Sequence, residues 1–400
     1  MTLTNTISPL PISKRTALVD VLRGWALLGV VLMNYTSLWK LTQAAEGIKH
    51  GILTNILYMT QETVFHGKSW TLLSILFGYG FAILLRNLAE RNQNAAPFFA
   101  RRMGWLLVLG FIDSAFYFGD FLKDYALLGF VFLLFAQFSA RQAFRASLVL
   151  LLLIPFVSAF VATLPGGVGS PSEMNGLKTL YLSHNPLQVL QANLQGSYLL
   201  QVANLRYIID VHLEMLACFF LGFAAQKADF FGRLSSTPRL ARRIFWSSFA
   251  VVFVFSVILV SQRKSYFFTT LFKPNFWMVF SIMLLTASAI CWLHQTRHFS
   301  NLFKSLQAMG RMTLTNYLVQ NLLMLLIFSG FGLAQLGKQP LVWHVGIAWL
   351  IFILQVWFSQ WWLARYQYGP VEWVWRQLSY GQRLPLRRQE PVDDSLAVSY

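Results

Sequence analysis

Charge is scarce in this chain, and acid is scarcer than base. Asp, Glu, Lys and Arg make up 12% of the 400 residues, against roughly 25% in a soluble domain. Fifteen acids face 32 Lys and Arg, for a net charge of +17. The shortage excludes an ordinary soluble fold. Cysteine is nearly absent too. Cys218 and Cys291 both lie in apolar runs, which gives neither a disulfide framework nor metal-ligand spacing. The seven histidines form no cluster with them, so no metal centre is expected. A Walker-type phosphate loop is missing: the glycines at 165–169 precede no Lys-Ser/Thr pair. The basic residues sit between apolar runs and form no single patch, so the positive charge does not indicate a nucleic-acid partner. Residues 1–14 hold no apolar core followed by a small-residue cleavage site. The first hydrophobic run is therefore expected to stay as a span.

What fills the chain is apolar: 56% of residues, with a mean hydropathy of +0.52. Runs of membrane-crossing length recur. They predict an all-α, polytopic transmembrane helical bundle of about ten spans, near 21–39, 69–85, 103–118, 125–138, 146–164, 207–226, 244–260, 276–293, 313–331 and 341–363. Ten spans put both termini on one side. That side holds 22 of the 32 Lys and Arg and the other side ten, which makes it cytoplasmic. Residues 1–13 read as a flexible tail, 14–164 as a five-span region, and 165–206 as an external loop whose later part suits amphipathic helix. A second five-span region with an interfacial helix covers 207–380, and 381–400 read as a disordered tail.

The stretch DVLRGWALLGVVLMNY, Asp20 to Tyr35, is an apolar helix with polar groups at both ends. At 100° per residue Arg23 and Asn34 fall within about 20° of each other. Charge entering such a helix marks a functional site or sets topology. Asp113 sits inside the third run and must find a partner or lose its charge. Arg23 is one candidate partner and helix hydroxyls are another. Asp210 and Glu214 share a face at the head of the sixth run, with His212 opposite. Arg311, Thr315, Asn316 and Gln320, with Tyr317 beside them, form a polar ladder in the ninth. It serves helix–helix bonding or lines a ligand. Arg101 and Arg102 grip phosphate or mark topology, and Glu372 and Arg376, four apart, suit a surface pair.

Five stretches carry a resemblance: LRGWALLGVVLMN (22–34), GKSWTLLSILFGYGF (67–81), GDFLKDYALLG (119–129), GRMTLTNYLVQN (310–321) and YGPVEWVWRQLSY (368–380). In this order they resemble the YeiB-like bacterial membrane proteins, which carry a C-terminal domain of unknown function (number 418). More distantly, the arginine–glycine pair of the first helix resembles the transmembrane acyltransferases, among them enzymes that acylate polysaccharides. Those enzymes place a histidine where Asn34 stands, and an amide is no base. In YeiB-like chains the third span often carries a histidine near the position of Asp113.

That resemblance implies a bacterial inner-membrane protein that moves an acyl group from cytoplasmic acyl-CoA, a co-substrate and not a resident cofactor. The acceptor would be an envelope glycan, a lipid or a small secreted molecule. Such transfer needs a base, oxyanion donors and cations for the phosphates. His66 and Asp113 are the expected catalytic groups. Asp20, Arg23, Asn34, Arg101 and Arg102 are expected around the donor. Lys68, Asp210, Glu214 and the ladder from Arg311 to Gln320 are expected around the acceptor. The same intramembrane charges also suit a secondary transporter, and packing roles alone would make the chain a scaffold.

Overall fold

A backbone surrounded by hydrocarbon must satisfy its own N–H and C=O groups, and the apolar runs fold as helices for that reason. The computed structural model describes residues 16–43, 51–164, 171–262, 265–296 and 298–388. The expected tail at 1–13, the start of the 165–206 loop and the chain beyond 388 lie outside these. In order the helices are α1 (Ala17–Gln43), α2 (Ile52–Thr60), α3 (Lys68–Glu90), α4 (Ala95–Phe116), α5 (Leu122–Leu133), α6 (Ala140–Val161), α7 (Pro171–Tyr181) and α8 (Pro186–Ser197). Then follow α9 (Leu205–Lys227), α10 (Phe230–Ser236), α11 (Pro238–Ser261), α12 (Pro274–Thr296), α13 (Ser300–Arg311), α14 (Thr313–Phe328), α15 (Leu341–Arg365) and α16 (Pro370–Tyr380). No strand occurs among the described residues; Tyr366 and Arg387 make a single antiparallel bridge.

Eight helical segments are long and apolar enough to cross a membrane: α1, the run from α2 through α3, α4, α6, α9, α11, α12 and α15. The expected fourth and ninth spans are the shorter α5, of 12 residues, and α14, of 16. At 1.5 Å per residue they reach about 18 and 24 Å, less than the roughly 30 Å of a hydrocarbon core. The expected external loop is mostly helical, and α8 packs Val189 and Asn193 against the bundle. Residues 384–388, expected as part of a disordered tail, run back along the ends of α15 and α16. Gln367 N–H donates to Leu386 O at 2.9 Å and Trp373 Nε1 to Leu384 O at 2.8 Å.

α1 is the hub. Its most apolar window is 78% buried, whereas that of α11 is 6% buried; α1 lies at the centre and α11 at the periphery. Two glycine crossings set the inner geometry. A Cβ on Gly24 would lie 2.0 Å from Leu306 O, and one on Gly310 would lie 1.8 Å from Asp20 O. Gly78 and Gly222 play the same reciprocal part between α3 and α9. Backbones approach this closely only where both helices lack a side chain. Cys218 and Cys291 are free thiols, both buried.

Candidate functional site

The Gly24–Gly310 crossing brings the first turns of α1 beside the last turn of α13, and so sets Asp20 and Arg23 near Arg311. α4 adds Arg102 and α16 adds Arg376. These four guanidinium groups line the mouth of a cavity of about 320 Å³. Arg23 Nη1 donates to Asp20 Oδ1 at 3.0 Å. Arg102 lies 3.7 Å over the Trp375 ring and Arg376 4.8 Å over that of Tyr368. Arg311 Nε and Asp20 Oδ2 are buried without a hydrogen-bond partner among the described residues. Burial pushes the Arg311 guanidinium down, with Asp20 opposing. The other acid at the mouth, Glu372, is committed elsewhere: its Oε1 accepts from the backbone of Leu314 at 2.6 Å. Surplus guanidinium charge with free donors suits a phosphate-type anion.

Behind the mouth the wall turns apolar, with Leu27, Leu76, Phe77, Met103 and Leu106. On α1 the lining runs from Val19 to Val30, roughly 16 Å along the axis. Trp70, Phe121, Tyr125 and Tyr317 stand at the far end. The cavity matches an elongated amphiphile with an anionic head.

The hydroxyl of Tyr317 links this cavity to a buried acid pair. It donates to Asp120 Oδ1 at 3.1 Å and accepts from Phe121 N–H at 3.3 Å. Asp120 and Asp113 are both fully buried. Asn321 Nδ2 donates to Asp113 Oδ2 at 2.6 Å, and Asn34 Nδ2 to Asn321 Oδ1 at 3.4 Å. The two carboxyls lie close enough to interact electrostatically. Asp113 Oδ1 and Asp120 Oδ2 have no hydrogen-bond partner among the described residues. Burial raises the Asp120 carboxyl above its ordinary range, and the bonds it receives oppose that.

The expected site residues divide accordingly. Asp20, Arg23, Arg102, Arg311 and Tyr317 line the cavity. Arg23 pairs with Asp20 and not with Asp113. Asp113, expected near mid-span, sits in the last turn of α4, because that helix begins at Ala95 and not at residue 103. Asn34 belongs to the buried network and does not line the cavity. Arg101 is exposed beside Gly381.

His66, just before α3, and Lys68, its first residue, lie apart from the cavity; Lys68 Nζ donates to Glu62 O at 2.6 Å. Asp210 accepts from Ser158 at 2.9 Å and Glu214 from Thr71 at 3.5 Å. The ladder on α14 separates by partner. Thr315 bonds Glu372, Asn316 bonds Ser359 at 3.0 Å and Gln320 bonds Gln355 at 2.8 Å. The Glu372–Arg376 surface pair does not form, because Glu372 turns inward to α14.

Asp120, Lys123, Asp124 and Asn321 were not anticipated as site residues. The signal was present in GDFLKD, where three charges stand between two apolar runs. A turn of that composition also suits plain solvation. Asn321, an amide inside an apolar run, carried a similar hint.

Residues 225–382 match a family described as a protein of unknown function, DUF418. The chain is similar to the "Uncharacterized protein YxaH" of Bacillus subtilis (strain 168), with 25% identity over 409 residues, 97% of this chain and 100% of the relative. The "Uncharacterized 39.9 kDa protein in amylase 3'region" of Bacillus acidopullulyticus is also 25% identical, over 399 residues and the same shares. The "Uncharacterized protein YeiB" of Escherichia coli (strain K12) is 42% identical over 76 residues, 19% of each chain. No solved structure matches. Arg311, Tyr317, Glu372 and Arg376 fall within the matched segment, while Asp20, Arg23, Asp113 and Asp120 precede it. The DUF418 match over residues 225–382, the end-to-end likeness to YxaH and the shared stretch with YeiB support a YeiB-like DUF418 relationship for this all-helical, multi-pass membrane protein.

Proposed function

We propose that this protein is a membrane acyltransferase that takes acyl-CoA from the arginine-rich side. One observation carries the reading: four guanidinium groups ring the mouth of an apolar cavity whose far end is Tyr317, bonded to the Asp113–Asp120 pair. Arg23, Arg102, Arg311 and Arg376 hold the phosphates. The slender thioester arm lies along Leu27, Leu76 and Phe77. An acceptor hydroxyl or amine attacks the thioester carbonyl. The C–S bond breaks as a C–O or C–N bond forms, and coenzyme A leaves as thiolate and takes a proton from water. The acceptor's proton passes to the Asp113–Asp120 pair. A lipid, an envelope glycan or a small secreted molecule suits the acceptor role.

The test is calorimetric titration of acetyl-CoA, longer acyl-CoAs and free coenzyme A into the purified full chain in detergent. Losing a charge-assisted contact costs roughly 1.5–3 kcal/mol, so Arg23→Ala and Arg102→Ala should each weaken binding about tenfold or more. Well-folded protein that binds none of these donors would overturn the reading.

A further inference from the structure

We infer that α8 is a lipid-contacting element: Leu187, Leu194 and Tyr198 meet acyl chains at the bilayer boundary, while the opposite face holds the 119–124 stretch in place. The inference does not rest on the acyltransferase reading, and its test uses no acyl donor.

From Asn185 to Leu205 the chain carries no Asp, Glu, Lys, Arg or His, whereas the preceding α7 carries Glu173 and Lys178. At 100° per residue α8 divides into three sectors. Val189, Ala192, Asn193, Gly196 and Ser197 are buried and point one way. Gln188, Gln191 and Gln195 are exposed and share a second sector. Leu187, Leu194 and Tyr198 fall within about 40° of each other in the third. They are 74%, 46% and 58% exposed, and Val202 and Leu205 carry the exposed apolar run on to α9. One sector for protein, one for water and headgroups, and one for hydrocarbon is the pattern of a helix lying in the membrane interface. A tyrosine, apolar along its ring and polar at its tip, suits that boundary.

The depth of the helix agrees. Asn193 Nδ2 donates to Ala115 O at 2.9 Å and Phe116 O at 3.2 Å, at the end of α4, a helix of membrane-crossing length. Phe111 and Ile112, exposed on α4, lie about 6 Å further along its axis. At the other end of the segment Arg206 Nη2 reaches Ala162 O at 3.5 Å, just past α6, whose Phe156 and Phe160 are exposed. Apolar side chains exposed on crossing helices mark the hydrocarbon level, and the stripe on α8 continues that surface. A second copy of the chain suits the stripe less well. It is only about 40° wide and bordered by amides, whereas a helix face buried in protein spans roughly 100° or more. The opposite face ties the lipid contact to the polar stretch. Ser197 Oγ accepts from Lys123 Nζ at 2.6 Å, and Gln201 Nε2 donates to Asp120 O at 2.7 Å. Phe121, between them in sequence, lines the cavity. Seating α8 on lipid therefore fixes that end of the cavity at the bilayer boundary.

The experiment is electron paramagnetic resonance on the full chain in phosphatidylcholine liposomes, with one nitroxide label at a time. The sites are Leu187→Cys, Leu194→Cys, Tyr198→Cys, Gln188→Cys and Gln195→Cys. Cys218 and Cys291 are buried, so the parent chain sets the background. All these side chains are exposed, and each labelled variant is checked by melting. Oxygen concentrates in hydrocarbon, whereas a polar nickel chelate is excluded from it. The oxygen-to-nickel collision ratio at 187, 194 and 198 should therefore exceed that at 188 and 195 by about fivefold or more. Leu187 and Tyr198 carry the test if the label at Leu194 disturbs the fold. Equal ratios at all positions would overturn the inference, since the helix would then have no lipid-facing side. Labels at 187, 194 and 198 shielded from both reagents would reveal a protein surface there, a second copy of the chain included, and would overturn it as well.

Discussion

Glu372 of α16 closes the start of α14 through Thr315. The threonine gives it both a backbone N–H, 3.0 Å from Oε1, and its hydroxyl, 2.5 Å from Oε2. Unpaired N–H groups and the positive end of a helix dipole favour a carboxylate there. The same contact fixes α16 in place, and with it Trp375 and Arg376 in the cavity wall.

Glu372 therefore predicts a pH dependence of stability. Burial raises its carboxyl above the ordinary value of about 4.3, and its hydrogen bonds only partly oppose this. The folded chain then binds the proton more tightly than the unfolded one. Its contribution is fully present below the ordinary carboxylate range and declines as pH rises through the raised value. Melting of the detergent-solubilised chain should show this decline, and Glu372→Gln should flatten it. An unchanged slope in the glutamine variant would assign the pH dependence to another group.

Gly80 predicts a way to fill the cavity without disturbing the fold. A Cβ there would meet only Arg23 Nη2, at 3.4 Å. Gly80→Leu places its side chain in the cavity and improves helix propensity by a fraction of a kcal/mol. Thermal stability should hold or rise slightly while acyl-CoA affinity falls at least tenfold. Unaltered affinity would show that the donor does not occupy this cavity.

Gly310 and Gly104 make a paired test of the α1–α13 crossing. Gly310→Ala drives a methyl into Asp20 O and should destabilise by about 1–3 kcal/mol, as overpacking does. Gly104 has nothing within 4 Å. Gly104→Ala should therefore be neutral or slightly stabilising. Equal melting of the two variants would mean that the crossing yields easily.

The long helices were legible because hydropathy alone specifies them. The short α5 and α14 were read as spans because their composition is that of a span; only their C-terminal ends, set by the turns that follow Leu133 and begin at Ser329, shorten them. Within the site, Asp20, Arg23, Arg102, Arg311 and Tyr317 stood out as polar groups in apolar surroundings, and all line the cavity. Thr315, Asn316 and Gln320 stood out equally but bond neighbouring helices. Periodicity shows which face of a helix is polar and not what that face meets. Lys123 and Asp124 were hidden for the opposite reason: charges in a turn are ordinarily solvated, and here α8 and the turn after it cover them.

The two buried thiols have a practical consequence. With Cys218 and Cys291 both withdrawn from solvent, the parent chain should give little background with a membrane-impermeant maleimide. A cysteine placed at exposed Ser235, in the basic connection before α11, or at exposed Thr163, just past α6, becomes a reporter of its own side. Labelling of one from each face of intact cells would show which side the arginine mouth faces.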